Sequence, residues 1–260
     1  PTTLWSLRSS QATSSGGKAL LVPTPYSVKL GLIDAAIKCA GIEAGRKLFN
    51  ALRGRPLIIS PPSEAVVSAV FAKVRKVERK DGQDNGEKNE GKSFAPTMGF
   101  REYIHYSGSG DGTLFKVALT FSALRDEEVG ILTQSAHALM YSGKRGGFVQ
   151  FVPSSERDGL TRIERISHGA PYTMPLRIWR EQKGEVMAGQ IQILDELPLT
   201  ARWENVNSYT SERVIAVHDD DLGPYRGGGP DRVYVPTFIP YSLKKTSRGF
   251  SFYQRTDIYN

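Results

Sequence analysis

"VPTPYSVKLGLIDAAIKCAG", residues 22–41, decides how the rest of the chain is read. Pro23 and Pro25 fix φ and hold Val22 and Thr24 extended. Behind them Val28, Leu32, Ala35, Ala36 and Cys39 recur at helical spacing, with Ile33 and Ile37 beside them. The stretch therefore predicts a corner from extended chain into a helix over 27–40. That helix has one broad buried face, and Cys39 is expected on it.

Working outward, "LWSLRSS" (4–10) reads as a short strand, "QATSSGG" (11–17) as a polar loop and "KALLV" (18–22) as the return toward the corner. After the helix, "EAGRKLFNAL" (43–52) is a second helical piece, and "RPLIIS" (55–60) is an apolar strand ended by Pro61 and Pro62. In "EAVVSAVFAKVRKVERK" (64–80) the residues alternate from Val70 onward and are rich in β-branched types. This predicts a strand with a basic face of Lys73, Arg75, Lys76, Arg79 and Lys80. "DGQDNGEKNEGK" (81–92) has three glycines and no apolar residue, so it is expected to be a mobile loop tip outside any core.

"GFREYIHYSG" (99–108) returns from that tip as an aromatic strand, and "GSGDGT" (108–113) is turn chemistry. "LFKVALTFSAL" (114–124) is a third strand. "RDEEVGILTQSAHALMYSG" (125–143) predicts a helix with Asp126, Glu127 and Glu128 in its first turn. Val129, Leu132, Ala136 and Leu139 line its apolar face, and Gly143 is expected to end it. "GGFVQFVP" (146–153) closes the region as a strand with Phe148 and Phe151 on opposite sides.

The order over 4–152 is strand, helix, strand, long hairpin, strand, helix, strand. It predicts an α+β fold: a ferredoxin-like βαββαβ domain over 1–153. A hairpin at about 64–107 is inserted between its second and third core strands. Residues 154–260 hold short runs such as "RIERIS", "GQIQIL", "RVYVPTFIPY" and "GFSFYQR". They predict a smaller β-rich region packed on the first.

A chain of 260 residues with 39% apolar content can bury a core without staples. No uninterrupted apolar run is long enough to cross a bilayer, and no basic-then-apolar signal segment opens the sequence. The expectation is a cytoplasmic chain with no membrane partner. The lone Cys39 excludes a disulfide framework and a cysteine zinc site. "RGGGPDR" (226–232) matches neither a Walker loop nor G-x-G-x-x-G, and "HDDD" (218–221) has no second ligand set. No cofactor and no metal are therefore expected. A net charge of +7 points to a polyanion such as nucleic acid.

The basic ribbon face reads either as a solvated edge protected by charge or as a phosphate contact. "SGKRGG" (142–147) reads as a helix C-cap with cations at the negative end of the dipole. It reads equally as bare backbone at Gly146 and Gly147 that lets RNA approach, with Lys144 and Arg145 on phosphates. Phe100, Tyr103 and Tyr106 have rings that can stack on bases, and alternation puts Tyr103 on the face opposite the other two. The candidate RNA-binding set is Lys73, Arg75, Lys76, Arg79, Arg101, Tyr103, Lys144, Arg145, Gly146 and Gly147. His105, His137, His168 and His218 are scattered, and no catalytic residue is assigned.

"VPTPYSVKLGLIDAAI" (22–37), the basic hairpin, "FREYIHY" (100–106) and "YSGKRGGFVQFV" (141–152) in this order resemble the RAMP superfamily of CRISPR systems, and within it the Cas-five family. The resemblance implies that the hairpin is a thumb over a guide RNA. It implies a non-catalytic subunit at the foot of a type I Cascade, holding the five-prime handle of the crRNA. Its partners would be crRNA and the other Cascade subunits, backbone and large subunit, with contact to target DNA near the PAM left open. Some members of the family cut precursor crRNA without metal and place Lys beside His, and this chain has no Lys-His dipeptide. The alternatives are such an endoribonuclease, or a ferredoxin-like RNA-binding protein outside CRISPR.

Overall fold

Helix α1 (Pro25–Ala40) begins two residues before the expected start at Ser27, because Pro25 itself takes up the helical φ. Thr24 is extended at ψ 146°, and its hydroxyl accepts the Ser27 N–H at 3.1 Å. Pro25 takes the first helical position, where a missing N–H leaves nothing unpaired. The computed structural model describes residues 5–9, 17–77, 94–108, 113–119, 124–143, 147–152, 172–178, 186–206, 209 and 231–256. Of residues 72, 74–77 and 94–97 it describes the backbone alone. The expected loop tip (81–92), Arg79, Lys80, Lys144, Arg145, Gly146, His168, His218 and most of "RGGGPDR" lie outside the described residues.

The buried face of α1 carries Val28, Leu32, Ile33, Ala35 and Ala36. Cys39 is not on it but exposed, because the last turn from Lys38 to Ala40 projects past the packed part of the helix. Gly41, at φ 85°, turns the chain into α2 (Ile42–Leu52), whose Leu48, Phe49 and Leu52 are fully buried. Helix α3 (Asp126–His137) packs Leu132, Ala136 and the following Leu139 on the same core. It stops at His137, short of Gly143. That glycine, at φ 78°, instead turns the chain between Tyr141 and Phe148, which form an isolated bridge.

Helices and antiparallel strands make the chain α+β, as the sequence predicts. Strand β1 (Leu57–Ser60), then β2 (Glu64–Val77), β3 (Phe94–Ser107) and β4 (Lys116–Leu119) follow in order. β1 pairs with β4 antiparallel, and β2 with β3 forms the ribbon inserted between them. Strands β5 (Met174–Pro175), β6 (Ile191–Glu196) and β7 (Val233–Phe238) form a sheet of order β5-β7-β6. Strands β8 (Tyr241–Thr246) and β9 (Phe250–Arg255) join the ribbon instead, in a four-stranded sheet of order β3-β2-β9-β8. Among the described residues, the first and last predicted core strands are represented by the isolated bridges Trp5–Ile104, Arg8–Ala19 and Tyr141–Phe148.

Two cores result. One gathers Leu32, Leu48, Phe49, Leu52, Ile59, Leu132, Leu197 and Trp203 beneath the helices. The other gathers Trp5, Val22, Ala65, Val67, Ile104, Leu194, Ile239 and Tyr241 beneath the root of the ribbon. Both draw residues from either side of position 153. Polar ties run the same way. The fully buried Lys29 ammonium pairs with Glu196, and the Tyr241 hydroxyl donates to the Pro62 carbonyl at 2.8 Å. Arg255 donates to the Pro61 carbonyl at 2.9 Å, so the carbonyls of that proline pair are satisfied by the C-terminal hairpin.

Candidate nucleic-acid interface

β2 and β3 stay in register from Glu64 opposite Ser107 to Val77 opposite Phe94. β9 covers β2 only from Glu64 to Ser68. The Ala69 N–H still donates to the Gly249 carbonyl at 2.9 Å, and from Val70 to Val77 the ribbon continues, among the described residues, as two strands for about 26 Å at the usual rise per residue. A free two-stranded ribbon is marginal in water. Here it is anchored by a root whose inward side chains, Ala65, Val67 and Ile104, are core.

Side-chain alternation divides the ribbon's cations between its faces. Lys73 is exposed opposite Met98, on the face that carries Phe71 and Phe100, whose rings meet edge to face at 5.6 Å. Arg75, opposite Pro96, belongs to that same face, and Lys76, opposite Ala95, to the other. The other face also carries Arg101, Tyr103 and His105. The described cations Lys73 and Arg101 thus stand on opposite faces of the ribbon.

Arg101 is half-buried opposite Val70 and donates to the Phe100 carbonyl at 3.1 Å. Burial first, and then the nearby Arg101 charge, push the Arg8 guanidinium down from its usual value. Tyr103 is half-buried on the outer face of the sheet. Gly147 is placed differently. It is buried, its carbonyl accepts the Ser142 N–H at 3.0 Å, and an added Cβ would sit 2.9 Å from the Ser142 carbonyl oxygen and 3.1 Å from the Trp5 ring. At this position, glycine serves close packing.

The C-terminal half of this face is absent from the set that sequence predicts. Phe250 and Phe252 of β9 lie across β2 from Tyr103 and His105, on the same side of the sheet. Their only local signal is the alternation in "GFSFYQR". The pairing that brings them to β2 is long-range and leaves no local trace.

A cavity of about 420 Å³ runs along α1, lined by Arg8, Tyr26, Asp34, Tyr141, Trp203 and Arg232 among others. Burial raises the Asp34 carboxyl, but hydrogen bonds from Lys38 at 2.6 Å, from Tyr209 and from Tyr141 at 2.8 Å outweigh it and hold the group below its ordinary range. Both tyrosine hydroxyls are correspondingly raised, Tyr141 by burial and Asp34, Tyr209 by Asp34 and burial. Arg232 stacks on the Tyr26 ring at 4.1 Å and pairs with Asp195 at 3.4 Å. Asp34 and Arg232 are thus already engaged within the protein. His105 is exposed on the sheet and His137 is exposed against the Phe151 ring, so neither lines this cavity.

No protein-family model matches the chain. Over 86 residues the sequence is 28% identical to a protein described as CRISPR-associated protein Cas5 from Archaeoglobus fulgidus. The match covers 33% of this chain and 35% of the relative, so the chain spans about a third of the length of the curated relative it matches.

Proposed function

We propose that this chain is a non-catalytic RNA-binding subunit of a type I CRISPR Cascade effector. It holds the five-prime handle of the crRNA and bridges the backbone to the large subunit. The observation that carries the reading is the ribbon. Two 14-residue strands run in register far beyond the strand that covers their root, with an exposed Lys73 and cations assigned to both faces. A fold gains little from extending an unsupported hairpin, and phosphate contact gives the extension a use. The partial likeness to a CRISPR-associated Cas5 protein supports the same reading.

In this reading Lys73, Arg75, Lys76, Arg79 and Arg101 meet phosphates and Tyr103 meets a base. Lys144, Arg145 and Gly146 form a second contact after α3; Gly147, buried against Trp5, is not part of it. Metal-independent cleavage needs an acid, a base and a cation around one phosphate. His105 and His137 stand on separate elements, which favours binding without cutting. The test is the RNA that co-purifies with the chain from its native host. A single small RNA species with a repeat-derived five-prime end is expected. Mixed cellular RNA, or none, contradicts the reading. Site-specific cleavage of precursor repeat RNA in EDTA, abolished by changing His105 or Tyr103, makes the chain an endoribonuclease instead.

A further inference from the structure

The strand registers line up two rungs across the outer face of the four-stranded sheet. In one, Ser68 of β2 stands between Tyr103 of β3 and Phe250 of β9. In the next, Val66 stands between His105 and Phe252, and Lys245 of β8 follows Phe252. Each rung is a ring, a small side chain and a ring. Strands lie about 4.8 Å apart, so the two rings of a rung flank a floor of Ser68 or Val66 at roughly 10 Å separation. The rungs follow each other at about 7 Å along the strands. His105 is exposed, Phe250 is 36% exposed, and Tyr103 and Phe252 are half-buried. The opposite face of the same strands carries Ala65, Val67, Ile104 and Tyr241, which are core. Among the described residues, no ring of the two rungs belongs to a hydrophobic cluster.

We propose that this face is a stacking platform for the unpaired bases of a single-stranded nucleic acid. One base seats on the Tyr103–Phe250 rung and the next on the His105–Phe252 rung. Arg101, one side-chain step beyond Tyr103, and Lys245, beside Phe252, meet the phosphates at opposite corners. Flat rings on an open antiparallel sheet suit unstacked bases, which every ring can accept by its π-face. The charges favour this occupant over a protein. Both corners are cationic, and the nearest acid on the face, Glu64, stands a rung away and accepts the Ser107 hydroxyl at 2.8 Å. A protein interface core is a continuous apolar patch poor in charge, whereas these rings alternate with Ser68 and cations. The inference rests on the RNA-binding reading and extends it to the C-terminal strands.

The test uses the full chain, an oligouridine of about ten residues and an abasic strand of the same length, a length within the range of single-strand binding sites. Wild type is expected to bind oligouridine at least about tenfold tighter than the abasic strand. The double variant Phe250→Leu with Phe252→Leu keeps apolar bulk but removes both rings. It is expected to weaken oligouridine binding by about tenfold for each stack removed, close the gap to the abasic strand, and leave the salt slope unchanged. Equal binding of both strands by wild type, or wild-type affinity in the double variant, overturns the platform. If the double variant binds normally while Lys73→Ala, Arg75→Ala and Lys76→Ala together abolish binding, only the platform fails. If wild type binds no single strand, the RNA-binding function fails with it. Should the double variant lose its thermal unfolding transition, photocrosslinking of wild type to a 4-thiouridine strand decides. Adducts on Tyr103, Phe250 or Phe252 support the platform, and adducts confined to other peptides overturn it. Normal strand binding together with loss of a co-purifying protein assigns the face to a protein partner and overturns it as well.

Discussion

The helical body and the ribbon treat cations in opposite ways. Lys29 of α1 has no exposed side-chain surface. Its ammonium is bound by Glu196 and the Arg55 carbonyl. Lys73 of β2 is exposed on a stretch of ribbon that, among the described residues, pairs with β3 alone. A buried ammonium without partners is expensive, so Lys29 ties α1 to β6. An exposed ammonium on a strand contributes little to the fold and remains available to an anion. In the proposed reading two tasks are separated in this way: burial around α1 serves stability, and the ribbon and the open sheet face serve binding.

The sharpest challenge to this division is a cavity in the body. Phe49 is fully buried and packs its ring 5.6 Å from Trp203. Phe49→Ala is expected to cost about 3–5 kcal/mol in denaturant unfolding. A small loss would mean that the helical core does not hold the fold. Next comes the buried ion pair. Lys29→Met leaves Glu196 without its cation and is expected to cost about 3 kcal/mol. The double variant Lys29→Met with Glu196→Leu should lose less than the single one, because no uncompensated charge remains. Additive losses in that cycle would show that the two groups act independently.

A smaller effect is expected at Asp34, held by Tyr141, Tyr209 and Lys38. Asp34→Asn is expected to cost about 1 kcal/mol at neutral pH. The folded carboxyl lies below its ordinary range, so its contribution is complete above about pH 4, the unfolded value, and is lost as pH falls through the folded value. The difference between wild type and variant should therefore close in acid. A difference that persists well below that pH would assign the loss to packing. The smallest effect on stability belongs to the ribbon. Lys73→Ala, Arg75→Ala and Lys76→Ala together should change unfolding by less than about 0.5 kcal/mol.

Much of the body is legible locally. The Thr24–Pro25 corner, the two helices after it and the inserted ribbon all carry signals within a few residues: proline, capping hydroxyl, helical spacing, strand alternation. The single basic face expected of the ribbon is corrected by the register, which puts positions 73 and 75 on one face and 76 on the other, because successive strand residues point to opposite sides. What is not legible depends on distant pairing. Cys39 has the right spacing for the apolar face, but how far α2 extends alongside α1 is not written in α1. Gly147 follows a cationic Gly-rich loop, yet the approach of Trp5 puts it inside. The outer sheet face cannot be assembled from sequence, because β9 meets β2 across most of the chain's length. Alternation in "GFSFYQR" fixes which residues share a side but not which strand they face.

The division between a stabilising body and a binding ribbon comes down to one measurement. The affinity of wild type and of the Lys73→Ala, Arg75→Ala, Lys76→Ala variant for single-stranded crRNA is followed across salt concentration. Each phosphate neutralised on a single strand contributes about 0.7 to the log–log slope, so the variant's slope should be shallower by roughly 2 with its melting temperature unchanged. A slope and affinity equal to wild type would contradict the division, and so would a weakening of binding that merely follows unfolding.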